Sequence, residues 1–189
     1  MRDHDPASLI ATDSAGNGLR VDFVWQHDRY AHSIIAIIDG DELPLWQSVE
    51  GTEQDRWPPS PPLQQLSIEE LRPGHRVALL LGMAGKSHWS VSVEPISGRC
   101  AFAFDVACRL RHTDSRLGSV YRGTGGTACD AARVTLDRAG RSCSLAGCGG
   151  HQAGLVLSPD GTSVHIEPQG APTAATVRWQ YVVACDQSI

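Results

Sequence analysis

A chain of 189 residues fits one domain, long enough to bury roughly 70% of its unfolded surface. Hydrophobic content of 41% and charged content of 20% are ordinary for a globular protein and argue against a disordered chain. The net charge of −5 argues against nucleic acid as a partner, since phosphate binding needs a basic field. No stretch approaches the ~20 apolar residues of a membrane span, so no membrane partner is expected.

Charge is unevenly spread. Residues 1–75 hold five basic and thirteen acidic side chains, whereas residues 109–142 hold seven arginines against three aspartates. Either the two regions face one another, or the second offers a basic surface to an anionic ligand or partner. The polar residues 1–18, ending in Gly16-Asn17-Gly18, read as an N-terminal tail before a single antiparallel β domain over 19–189. The first residues lack the apolar core of a signal peptide, which points to a cytoplasmic location. The six cysteines then read as small buried residues rather than three bridges.

Period-two alternation dominates the β domain. Val21, Phe23 and Trp25 open the first strand, and residues 32–38, apolar on both faces, form a central one. Asp39-Gly40 is a hairpin signal leading into a strand over 43–49. The rhythm breaks at 50–62, where Pro58-Pro59-Ser60-Pro61-Pro62 cannot sustain a strand ladder and makes an extended loop. Ser67-Ile68-Glu69-Glu70 matches a capping box and predicts one short helix near 67–71, ended by Pro73-Gly74.

Strand patterning resumes over 76–81 and 87–94. Cys100, Phe102, Phe104, Val106 and Cys108 then share one face. Shorter strands come next at 119–122, 132–137, 142–145, 155–157 and 163–167. The last strand places Val177, Trp179, Tyr181, Val183 and Cys185 on one face. Ten to eleven strands joined mainly by hairpins make an all-β antiparallel meander, which must hide its edges. Closure into a calycin-like up-and-down barrel is the first reading. A two-sheet β-sandwich is the alternative, with the Pro-rich loop and residues 110–130 carrying the chain between sheets.

The chemistry-bearing candidates are few. Gly82-Met83-Ala84-Gly85-Lys86-Ser87 lacks the glycine spacing of a phosphate loop and precedes a strand, so it reads as a hairpin turn. Cys143 and Cys148, with His151 three residues on, could supply three zinc ligands from one glycine-rich loop, with Cys129 or another His as the fourth. Zinc is therefore the one metal to consider, although no cofactor is otherwise implied. His27, Asp28, Arg29 and His32 gather around the first hairpin, where a carboxylate can orient an imidazole.

The segment from Trp46 to Pro62, with Arg56 and Trp57, is longer than a hairpin requires and is the preferred binding element. Trp89 would join it by lining a barrel interior. These features suit a non-enzymatic protein that binds a small apolar or anionic ligand, or a partner. The alternatives are an enzyme using the 143–151 loop, with metal or cysteine, and an interaction module using the acidic N-terminal half.

Overall fold

The expected Asp39-Gly40 turn is present, with Ile38 paired to Asp41 across it, and similar tight turns set the register of most neighbouring strands. The computed structural model describes residues 4–111, 116–123, 127–130, 133–169 and 175–187. Those residues hold fifteen strands and no helix, and hence no helix long and apolar enough to cross a membrane.

In chain order, β1 (Ala7–Thr12), β2 (Gly18–Gln26), β3 (Arg29–Ile38) and β4 (Asp41–Ser48) form one meander. The Pro-rich loop then crosses to a second meander of β5 (Leu63–Arg72), β6 (His75–Ala84), β7 (Ser87–Pro95) and β8 (Ala101–Arg109). After these the chain alternates between sheets. β9 (Ser119–Gly123) returns to the first, while β10 (Thr127–Asp130), β11 (Arg133–Arg138) and β12 (Arg141–Gly147) extend the second. β13 (Ala153–Leu157) and β14 (Ser163–Pro168) join the first sheet, and β15 (Thr176–Gln187) closes the second.

The result is a seven-stranded sheet, β1-β2-β3-β4-β9-β14-β13, facing an eight-stranded sheet, β10-β11-β12-β15-β8-β7-β6-β5. Neither closes on itself, so the expected barrel is replaced by the two-sheet alternative. The physical reason lies in the connections. A meander barrel needs β4 beside β5 and β8 beside β9. Instead β4 pairs with β9, and β8 pairs with β15. The proline-rich segment leaves β4's sheet rather than turning back along it.

Two local expectations also change. Part of the presumed N-terminal tail is strand β1, which pairs along β2 from Ala7–Phe23 to Thr12–Gly18. The helix expected near 67–71 is the second half of β5. Pro73-Gly74, taken as a helix terminator, is a two-residue turn pairing Arg72 with His75, with Gly74 in the left-handed region at φ 76°. Glu70 does accept a backbone N–H, but from Gly74 at 2.9 Å within that turn. As an edge strand, β5 carries bulges near both ends and charged residues along it, which discourage further pairing.

The faces read from alternation are the faces buried. Phe102, Phe104, Val106, Trp179, Tyr181 and Val183 from the second sheet meet Val21, Phe23, Ile34 and Tyr121 from the first in one continuous core. A void of about 10 Å³ beside His32, Ser119 and Tyr181 has room for at most one water. Around it the described core side chains pack against one another. The predicted hairpin after β6 is also present, since Ala84 pairs with Ser87 across it. Gly82, just before that turn, faces the start of β5, and a Cβ there would collide with the Pro62 carbonyl oxygen. Gly82→Ala is expected to destabilise the fold by about 1–3 kcal/mol. Urea denaturation checks this, and an unchanged midpoint would contradict the close approach.

Candidate functional site

The Pro-rich loop is held against the first sheet by backbone partners that the β4–β9 ladder leaves free. Val49 N–H donates to the Val120 carbonyl at 2.8 Å. Buried Ser60 accepts from Val120 N–H at 3.0 Å and donates to the Val120 carbonyl at 3.1 Å. These bonds fix Trp57, Pro58 and Pro59 beside β9 and β14. Between them lies a groove of about 570 Å³, within the range of small-molecule sites. Trp57, Pro58, Leu117, Val120 and Pro168 give it apolar walls, and Arg116, His165 and Glu167 supply polar groups. Val120 and His165 meet there because they are register partners across β9 and β14.

Trp57 is the only member of the predicted ligand set that lines this groove. Arg56 stands over its ring at 5.8 Å, a cation–π arrangement. Trp89 meets it edge-on with centroids 6.1 Å apart, yet is only 4% exposed, so it supports Trp57 from the core. Trp46 is 3% exposed and lies against Gly123, away from the groove. A bulge opposite Ile34 and Ile35 turns both Leu45 and Trp46 inward, which simple alternation along β4 does not anticipate. The Trp57 indole N–H is buried and finds no partner among the described residues.

The structure separates the expected metal ligands. Cys143 lies in the core on β12, directly opposite Cys185. Cys148 is half-buried after β12 has ended, its N–H donating to the Gln180 carbonyl at 3.0 Å. His151 is exposed. Both Cys148 and His151 lie within electrostatic reach of Asp105, but that carboxylate is engaged by Arg178 and Gln180. Among the described residues no three His, Cys, Asp or Glu side chains are placed to hold a metal. The Cys129 side chain lies outside the described residues.

The first-hairpin cluster is likewise divided. Exposed His27 occupies the turn, Asp28 and Arg29 form an ion pair at 2.8 Å, and His32 points into the core. There a polar chain runs between the sheets: His32 Nε2 to Tyr121 Oη at 2.6 Å, and Tyr121 Oη to Tyr181 Oη at 2.7 Å. Sequence reasoning missed this chain because its members are brought together only by the pairing of distant strands. Burial holds the His32 imidazole down at about 4 and raises both phenols above their usual range. A neutral imidazole and two neutral phenols form a structural seam at physiological pH.

Glu50 sits nearby at the start of the loop. Its Oε1 accepts from Ser48 Oγ at 2.6 Å, while Oε2 is buried without a partner among the described residues. Burial pushes this carboxyl up to about 7, against the opposing pull of Arg29. The two groups act oppositely on stability. Glu50 stays protonated in the folded chain after its unfolded counterpart ionises, so its contribution falls as pH rises from about 4.5 to about 7. His32 stays neutral in the folded chain where its unfolded counterpart is charged, so its contribution rises from about 4 to about 6.5. Glu50→Gln is expected to leave the rising limb, making the chain more stable at pH 7.5 than at pH 5. Urea denaturation at both values measures this, and an unchanged pH dependence would contradict it. No protein-family model matches the chain, and no similar curated protein was found.

Proposed function

We propose that this is a non-enzymatic binding protein whose site is the groove between the Pro-rich loop and the β9–β14 pair. The observation that supports this most is a 570 Å³ concavity with Trp57 in its wall, held open by a proline-stiffened and hydrogen-bonded loop. A preformed apolar site binds without first losing the entropy of ordering its walls. Arg116 favours an acidic group on the ligand, and the opposing Glu167 disfavours a polyanion. The fitting occupant is therefore a small amphipathic molecule with an apolar body and one anionic end. A cytoplasmic setting belongs to this proposal.

The interaction-module reading draws on a different observation. Leu79, Leu81 and Met83 stand exposed at alternate positions along β6, forming an apolar ridge on the outer face of the second sheet. An enzyme centred on the 143–151 loop draws no support from the geometry, because Cys143 faces the core and His151 faces solvent.

Titration with 8-anilinonaphthalene-1-sulfonate, an apolar anion, tests the groove. The expected result is saturable fluorescence enhancement, weakened about tenfold (~1.4 kcal/mol) by Trp57→Ala and by Arg116→Gln. Val24→Ser, at an exposed position outside the groove, should leave it unchanged. Absence of saturable binding, or indifference to both groove substitutions, would remove the proposal's support.

A further inference from the structure

Among the described residues, a group of thiols lies at one end of the second sheet, outside the groove. Cys143 on β12 and Cys185 on β15 are register partners in an antiparallel pair. Both point inward, both are 0% exposed, and their Sγ atoms lie 2.7 Å apart. Opposed residues in such a ladder have Cα atoms about 4.5–5.5 Å apart, inside the span a disulfide accepts without backbone movement.

Two further groups complete the environment. Arg141 precedes Cys143 by two residues on the same face, is 7% exposed, and is held by Asp13 at 3.2 Å. Cys100 is the half-buried neighbour, with its carbonyl accepting from Cys185 N–H at 2.9 Å and its thiol donating to the Asn17 carbonyl at 3.3 Å. The Cys143 thiol donates to Cys185. That bond, helped by the Arg141 charge, lowers the cost of a Cys185 thiolate, while the same contact and burial hold Cys143 protonated.

We propose that Cys143 and Cys185 are an oxidation site, a dithiol that a peroxide converts reversibly into a cross-strand disulfide. The Cys185 thiolate attacks one peroxide oxygen, and the O–O bond breaks. The departing hydroxide takes up the proton that Cys185 released on ionising and leaves as water, with a sulfenic acid left on Cys185. The Cys143 sulfur then attacks the Cys185 sulfur, the S–O bond breaks, and the Cys143 proton leaves with the hydroxide as a second water. Two thiols have lost two electrons to one peroxide. A small uncharged oxidant suits sulfur atoms that have no solvent exposure, and a reducing thiol reverses the step. The bond closes a loop between positions 42 apart in sequence and ties β12 to β15.

The test is incubation of the folded protein with hydrogen peroxide, followed by alkylation, non-reducing peptide mapping and intact mass measurement. The expected result is a mass lower by two hydrogens, two fewer alkylatable thiols and one linked peptide joining Cys143 to Cys185. Oxidation should also raise the melting temperature, reversibly on adding dithiothreitol. Cys143→Ser and Cys185→Ser each abolish the cross-link, while Cys148→Ser keeps it. Arg141→Gln shifts the pH profile of closure upward, and Arg141→Lys restores it. Recovery of Cys143 and Cys185 as free thiols from the peroxide-treated wild type, or linkage through Cys100 instead, would overturn the proposal.

Discussion

The burial of one face of each sheet against the other is the constraint on which the remaining structure depends. The two inner faces carry nearly all the large rings. His32 of the first sheet packs on Phe104 of the second at 5.8 Å, and Phe104 stacks on Tyr181 at 4.9 Å. Each buried side chain of this size contributes roughly 1.5–3 kcal/mol. The polar atoms carried inside with them need partners, because an unpaired buried group costs about 1–3 kcal/mol. The Tyr121–Tyr181 hydroxyl bond meets that need across the gap between sheets, and the Trp179 indole N–H does so by donating to Ser119 Oγ at 3.3 Å. Packing and polar pairing therefore select the same alignment of the two sheets.

That alignment decides where a concavity can form. Trp179, Phe102 and Phe23 fill the space between the sheets among the described residues, and the groove lies instead where a connection crosses between sheets. The crossing at 49–62 is long and rich in proline, and Ser60 anchors it to Val120. Its stiffness keeps Trp57 standing off β9 and β14 instead of collapsing onto them.

Local structure was readable along the chain because side-chain parity is a local property. The inward sets at Phe102–Phe104–Val106 and Trp179–Tyr181–Val183 come from alternation alone. Pairing is not local. Nothing near Ser48 specifies Tyr121 as its partner, and nothing near Val106 specifies Trp179. Short hairpins favour a meander and a meander implies a barrel, but the pairing of β4 with β9 and of β8 with β15 breaks that sequence. Residues 67–71 failed for another reason: Pro-Gly ends a helix and also forms a tight turn, and only the partner strand β6 decides which.

The proposed groove was half legible on the same grounds. Trp57 could be named from the composition of its loop, whereas Arg56, named with it, stands over the Trp57 ring and does not line the groove. Val120 and His165 reach the groove through the pairing of β9 with β14, for which the sequence carries no local signal, and Arg116 arrives from the segment just before β9. The cysteines show the same division. Close spacing suggested Cys143 with Cys148, whereas parity sends Cys143 inward and long-range register places Cys185 opposite it.

Cross-strand nuclear Overhauser effects in the isotope-labelled protein test the two-sheet arrangement most directly. The two-sheet arrangement requires contacts linking β4 to β9, including Gln47 with Arg122, and contacts linking β8 to β15, including Phe104 with Tyr181. Contacts pairing β4 with β5, or β8 with β9, would show a closed meander and contradict it.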